Sequence, residues 1–399
     1  MKKKLLDNLH QFPYFKWATC LFAISFYFGV AANSIGYVLF ILLGLLNFIV
    51  NFKSYPKPII KEKINLVLGL FFLIIFLREL ISLQENETHN ILINSAFLLI
   101  PLVFELNPNK IQVIYSFVLK AFVLGSSLNI VVNLLFAVYR GVIEIENGIN
   151  FWYFTYDFFS EPFGIQPIYL ACFYVFSIFI LIDQKVFSKG ILNFVLFFLL
   201  LLGVFLLAAR NAILALIIIA PILYIVKNGF NWKKIFVIIS LFAVSAFCAL
   251  QNPVVKNRVL KFNQKGNFYS GTSLRLHIWE SSIEVSKKNF LFGSGKADGN
   301  NMLWEEFENR NLEIPLRDGY HVHNQYLQTF MHYGLIGLIT LVGIFLWLLV
   351  LMYRRRNYLA LSWIVLFALA CVTESMLVRQ WGVLFFIFFL SLFVQNSKE

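Results

Sequence analysis

Apolar runs long enough to cross a bilayer recur along the whole chain, and they leave few folds open. A spanning helix needs about 20 apolar residues, because each residue rises about 1.5 Å and the hydrocarbon core is about 30 Å thick. Hydropathy places about twelve such spans, over residues 15–31, 35–51, 64–83, 90–105, 112–139, 165–182, 191–209, 211–227, 235–251, 324–353, 358–373 and 377–394. Membrane barrel strands are shorter and alternate apolar with polar residues, which these runs do not do. The expectation is an all-α polytopic membrane protein. Its charged fraction of 14% agrees, since a soluble domain carries about 25%. Lys2, Lys3 and Lys4 before the first apolar run give it the shape of a signal peptide. A second run follows at once, so the first reads as an uncleaved span.

Basic residues sort by loop. One side receives Lys2 to Lys4, then Lys53, Lys57, Lys61 and Lys63, then Lys110, then Lys185 and Lys189. It continues with Lys227, Lys233 and Lys234, then Arg354 to Arg356, and ends at Lys398. The opposite short loops have almost none, and one carries Glu85 and Glu87. The positive-inside rule then places both termini in the cytoplasm. The net charge of +12 reads as a topology signal facing anionic inner-leaflet lipid rather than nucleic acid. Three regions follow: spans 1–9 over 1–251 with an outer loop near 140–164, a long outer loop over 252–322, and spans 10–12 over 323–399. The long loop carries ten basic residues of its own and is exempt from the charge rule. Cys20, Cys172, Cys248 and Cys371 all lie in apolar segments, which predicts buried structural thiols and no disulfide framework.

Several polar groups stand out at outer span ends. Arg210 sits between two apolar runs in "FLLAARNAILAL". An arginine inside a span costs about 2.5–3.5 kcal/mol on insertion scales, so it either meets an anionic partner or snorkels to the interface. In "GTSLRLHIWE", Thr272 or Ser273 caps a helix on which Arg275 and Trp279 are i, i+4 neighbours. The plainer reading of Arg275 is a surface arginine. In "HVHNQYLQTFMHYGLIG" a helix begun near His323 puts His323, Leu327, Phe330, Gly334 and Gly337 on one stripe, with the glycines admitting a neighbouring helix. His332 points the other way. The alternative is an interfacial histidine, or a chelate of His321 and His323 with Asp318. Glu374, Arg379 and Gln380 share the last outer turn and pair with one another or orient a ligand. Tyr169 lies just inside the span opened by Pro167.

Together "ARNAIL", "SLRLHIW" followed by "FLFGSG", "HNQYLQTFMHYG" and "TES…RQWG" resemble the O-antigen ligase and polymerase superfamily. The family's Arg-x3-Leu, Arg-x3-Trp and His-Asn motif with a glycine eleven residues on fall here at Arg210–Leu214, Arg275–Trp279 and His323–Gly334. The resemblance covers about residues 160–395. One departure is Gln166, where many relatives have histidine before the proline.

The resemblance implies a GT-C-like fold and a metal-independent, inverting glycosyltransferase without cofactor in the bacterial inner membrane. It would take a saccharide from undecaprenyl diphosphate on the periplasmic side and pass it to an acceptor hydroxyl. Lipid A-core as acceptor makes it a ligase; a lipid-linked repeat makes it a polymerase. His323 would be the general base, since histidine's ordinary pKa of about 6.5 leaves a neutral ring at neutral pH. Arg210 and Arg275 would hold the diphosphate. Arg140, Glu374, Arg379, Tyr169, Trp279, His321 and Asn324 are candidate supporting residues. The rival from another class is a lipid-linked oligosaccharide flippase or transporter, kept in play by the intramembrane charges Arg78, Glu79 and Lys120.

Overall fold

The computed structural model describes residues 13–51, 63–82, 87–145, 148–183, 187, 190–260 and 272–396. Of the charges that set the expected topology, Lys2 to Lys4, Lys53, Lys57, Lys61, Glu85, Lys185, Lys189 and Lys398 lie outside the described residues. Every regular element among the described residues is helical.

The chain opens with α1 (Tyr14–Ser25), α2 (Gly29–Val50), α3 (Lys63–Ser82), α4 (Glu87–Asn94), α5 (Ala96–Leu106) and α6 (Pro108–Val138). Short helical turns follow at Tyr139–Ile143, Phe151–Phe154, Tyr156–Ser160 and Glu161–Phe163. Then come α7 (Pro167–Asp183), α8 (Gly190–Leu206), α9 (Arg210–Asn228) and α10 (Trp232–Leu250). The polar segment contains α11 (Pro253–Leu260), α12 (Thr272–Lys288) and α13 (Lys296–Asn309). The chain closes with α14 (Gln325–Arg354), α15 (Tyr358–Thr373) and α16 (Gln380–Asn396).

Among the described residues, five helices are long and apolar enough to cross a membrane, or six if Tyr156–Phe163 and α7, bent by 82° from each other, form one span. Asn90–Leu106, Gly190–Leu206, Tyr358–Thr373 and Gln380–Asn396 are apolar but shorter. The molecule is a multi-pass helical membrane protein. The expected twelve spans are finer than this, because hydropathy windows run across breaks. The run 15–31 is interrupted between α1 and α2, and the 12 residues of α1 rise only about 18 Å. The run 90–105 is divided at Ser95 and carries Pro101 inside α5.

The core is built around α16, which is buried from Trp381 to Gln395. Its Phe385, Phe386, Phe388 and Phe389 meet Phe173, Phe367, Phe22 and Phe122 with ring centroids 4.6, 4.8, 4.9 and 4.8 Å apart. Such ring pairs add about 0.5–1.5 kcal/mol each beyond burial. On the lipid side, Ile35, Leu42 and Ile49 of α2 are exposed at seven-residue intervals. Some buried polar groups bond across the bundle, where a bilayer offers no water to replace them. Asn129 donates from Nδ2 at 2.7 Å to Tyr27 O, a carbonyl freed by the break after α1, and accepts at Oδ1 from Tyr174 Oη at 2.5 Å.

Of the intramembrane charges, Glu79 and Arg78 tie α3 to other elements, while Lys120 faces a ring of its own helix. Glu79 Oε1 accepts from Tyr333 Oη and Asn90 Nδ2 at 2.9 and 2.8 Å. Arg78 Nε donates to Gly293 O at 3.1 Å, and Lys120 stands 5.9 Å from the Phe117 ring. Cys20, Cys172 and Cys371 are buried, but Cys248 is exposed on α10, so its apolar segment turns that face outward.

The expected stripe from His323 to Gly337 is corrected. Helix α14 begins at Gln325, capped by Asn324, and breaks at Gly334 (φ 66°, ψ −167°). No helix approaches there; the backbone of residues 290–295 does. Ser294 and Gly295 N–H donate to Met331 and His332 O at 3.0 and 2.8 Å, and Leu335 and Ile336 N–H donate to Phe290 and Leu291 O at 2.8 and 3.3 Å. The buried face is the one bearing Gln328 and His332, not His323.

Candidate active site

Two short loops meet at one end of the bundle. The first, residues 318–324, leads into α14. Asn324 Oδ1 accepts from Tyr326 and Leu327 N–H at 3.0 and 3.1 Å, which satisfies orphan donors of the first turn and is worth about 1 kcal/mol. The second loop, residues 374–379, joins α15 to α16. Tyr169, fully buried, donates from Oη to Ser375 O at 3.2 Å and so fixes this loop to α7.

Glu374 is 1% exposed and receives both histidines of the first loop. His323 Nδ1 lies 3.2 Å from its Oε2, and His321 Nε2 lies 3.4 Å from its Oε1. The two rings are 4.1 Å apart, and Tyr320 meets His323 edge-on at 5.5 Å. The proton positions follow from the partners. A carboxylate only accepts, so Nδ1 of His323 carries a proton, and in the neutral ring it is Nε2 that keeps the lone pair. His321 Nδ1 accepts the backbone N–H of His323 at 3.2 Å, so the proton of neutral His321 sits on Nε2.

Burial alone would raise the Glu374 carboxyl, but the hydrogen bond and charge of His323, with His321 and Arg275, hold it below the ordinary value. Burial pushes the His321 ring down to about 4, helped by His323, Arg379 and Arg275 and opposed by Glu374. His321 is therefore neutral at neutral pH, and the carboxylate is charged.

His323 has φ +52°, the left-handed region that a branched-free non-glycine residue adopts at a cost of about 1–3 kcal/mol. The peptide before it is pinned on both sides. Val322 N–H donates to Gln328 Oε1 at 3.0 Å, and Trp279 Nε1 donates to Val322 O at 3.1 Å. Trp279 thus ties α12 to the histidine loop. Arg275, one turn earlier on α12 and half-buried, acts electrostatically on both Glu374 and His321.

Arg210 is the first residue of α9, after a buried turn in which Ala208 takes φ +48°. Its neighbour Asn211 donates from Nδ2 to Thr373 Oγ1, one residue before Glu374. That bond brings the positive N-terminus of α9 to the Glu374 loop. Arg379 is exposed on that loop. Glu374 pairs with the histidines, and Gln380 bonds Ser34 and Asn33 of α2 at 2.8 and 3.3 Å. Arg140 donates to Glu144 at 2.6 Å and lies over the Tyr153 ring at 5.5 Å, so its contacts are within its own loop. Asp318 pairs with Arg317 at 2.8 Å instead of joining the histidines.

His321, His323 and Glu374 offer ligand atoms within 4.8 Å of one another. As arranged they are a hydrogen-bonded cluster. The nitrogen of His321 that faces the carboxylate is the protonated one, and its lone pair is spent on a backbone N–H. A metal on Nε2 would require that ring to give up its Nε2 proton and, with it, the bond that Nδ1 accepts.

Comparison with known proteins reaches the same ground. Residues 195–342 match the family model described as O-Antigen ligase. The chain resembles the O-antigen ligase superfamily. The matched stretch holds Arg210, Arg275, Trp279 and His323, and it ends before Glu374, which the fold returns to it. An uncharacterized protein of Haemophilus influenzae is 23% identical over 202 residues, covering 47% of this chain and 51% of that protein. The chain thus spans about half the length of the curated relative it matches.

The motifs of this family point to Arg210, Arg275 and His323. They do not point to Gln328 or His332. Gln328 is 1% and His332 3% exposed, and the signal for them was present in the sequence: polar residues four apart in an apolar span.

Proposed function

We propose that the protein is a membrane glycosyltransferase that passes a saccharide from undecaprenyl diphosphate to an acceptor hydroxyl on the periplasmic side, as an O-antigen ligase with lipid A-core as acceptor. The observation that supports this reading is the pair His323–Glu374, a histidine whose Nδ1 stands 3.2 Å from a buried carboxylate. Such a ring takes a proton from a hydroxyl as the oxygen attacks, and the carboxylate stabilises the imidazolium that forms. The bond broken is the anomeric C–O bond to the diphosphate, and the bond formed joins the anomeric carbon to the acceptor oxygen. Attack opposite the leaving group inverts that carbon.

The leaving diphosphate needs positive charge more than it needs a proton. Arg275 beside the pair and Arg210 at the N-terminus of α9 supply it through bidentate, charge-assisted bonds. No step is assigned to a metal or cofactor.

The deciding experiment is surface-glycan analysis of a deletion strain. Polymer retained on carrier lipid and missing from lipid A-core supports the ligase; single capped repeats mean a polymerase, which uses the same donor chemistry. Unchanged surface glycan removes both. For the diphosphate, Arg210→Ala and Arg275→Ala are each expected to weaken binding of undecaprenyl diphosphate by about 10-fold or more, since a charge-assisted bond is worth about 1.5–3 kcal/mol. Unaltered affinity in both variants, measured by calorimetry in detergent, would remove the clamp.

A further inference from the structure

We infer that Gln328 is a positioning residue that sets the register between the loop carrying His323 and the loop carrying Glu374. The inference rests on the reading of that pair as base and orienting carboxylate.

Gln328 lies in the first turns of α14 and is 1% exposed. Its Oε1 accepts two bonds at once. One comes from Val322 N–H at 3.0 Å, the peptide between the two histidines. The other comes from Ser375 Oγ at 3.2 Å, the residue after Glu374. Two loops some fifty residues apart in sequence are therefore tied at a single oxygen. Its Nε2 lies 2.8 Å from His332 Nε2, and that nitrogen stands 3.1 Å from Asn300 Oδ1 on α13. The Val322 N–H can only donate, so it is Oε1 and not Nε2 that faces the loops. Gln325 holds the far side of the second loop through Leu377 N–H at 2.6 Å, but the bonds to the histidine loop come from Gln328.

Only an amide meets these demands. Oε1 has two lone pairs for two donors, and Nε2 supplies the proton that His332 accepts. A lysine cannot accept, and an ionised glutamate cannot donate. The chemical stake is alignment, because His323 Nδ1 must meet Glu374 Oε2 while Nε2 faces the acceptor. A displacement of about 1 Å at a reacting group costs roughly 100-fold in rate.

A buried glutamine that only satisfies backbone groups would change stability without coupling to Glu374, and a double-mutant cycle separates the two roles. The full-length protein in detergent is added to membranes of the deletion strain, which supply their accumulated lipid-linked glycan, and the transfer rate is measured. Binding of undecaprenyl diphosphate is measured alongside.

Gln328→Ala is expected to slow transfer by about 10–100-fold with undecaprenyl diphosphate affinity kept within about twofold. On a Glu374→Gln background the same change is expected to cost less than about threefold, because the alignment it protects is already lost. A wild-type rate for Gln328→Ala, or an undiminished loss on the Glu374→Gln background, overturns the proposal. Should Gln328→Ala fail to fold, Ser375→Ala releases one of the two tied loops without opening a large cavity, and it enters the same cycle with the same criterion. His323→Ala, run in parallel, separates the two levels of inference. If it turns over normally, the base reading falls and takes this proposal with it. If it is inactive while Gln328→Ala is not, only the positioning role falls.

Discussion

His323→Ala is expected to lower glycosyl transfer by about 100- to 10,000-fold, the range that a positioned general base contributes, while undecaprenyl diphosphate still binds. The loss belongs to the rate and not to donor affinity, because the ring is assigned to the acceptor proton and the arginines to the diphosphate. Glu374→Gln should follow it in direction. The amide keeps the volume of the carboxylate but not its charge, and it presents an NH2 group to one of the two rings that now face acceptor oxygens. The imidazolium formed in the transition state then lacks its counter-charge. The measurement is transfer rate against undecaprenyl diphosphate affinity for both variants in the same preparation. Normal turnover by His323→Ala would leave the pair without its assigned chemistry.

A bound metal at the same cluster would also make His323 essential, so the variant alone does not distinguish base from ligand. Chelation does. Wild-type transfer is expected to persist in EDTA, because His321 turns its protonated nitrogen toward Glu374 while its other nitrogen accepts the His323 N–H at 3.2 Å. Activity lost in EDTA and restored by a divalent cation would instead mean that the His321 ring gives up that proton to coordinate it.

The three residues proposed for chemistry were singled out by family resemblance; Arg210 and His323 also stand at the ends of apolar runs, whereas Arg275 lies in the long polar segment. Glu374 was legible only as a nearby charge. Its partners are 51 and 53 residues earlier, and nothing in local periodicity announces that pairing. Arg140 shows the converse. It looked like a third basic contact, but Glu144 lies four residues on, within reach of its side chain at 2.6 Å. Hydropathy identified the helical membrane class because that signal is additive over 20 residues. It missed the interruptions at Phe26–Phe28, Ser95 and Gly334, because these residues hardly change a window average. The misread glycine has a simple cause. Small residues in membrane helices usually admit another helix, and no pattern in α14 distinguishes that use from a break filled by a distant loop.

That break makes Gly334→Ala a severely damaging substitution outside the reacting groups. At φ 66° and ψ −167° the backbone occupies a region essentially reserved for glycine. A Cβ there would lie 2.2 Å from Leu291 O and 2.5 Å from Phe292 N, both backbone atoms that cannot rotate aside. In an unbroken helix Leu335 and Ile336 would bond Met331 and His332 O; here all four groups bond to the 290–295 backbone instead. Relieving the clash means withdrawing that loop and losing the four bonds, at about 1 kcal/mol each, in addition to about 1–3 kcal/mol of dihedral strain. A loss of roughly 5 kcal/mol rivals the whole stability of many domains. The expected result is a strongly lowered unfolding temperature in detergent, or failure to recover monodisperse protein. Gly343→Ala is the control: the position is helical, its Cβ would meet nothing within 4 Å, and it should be neutral or gain up to about 1 kcal/mol. If Gly334→Ala melted with Gly343→Ala, the loop would not be seated in the helix as described. The consequence would reach the site, because the 290–295 loop follows α12, and its seating in α14 fixes the helix that presents Arg275 and Trp279 against the one that His323 precedes.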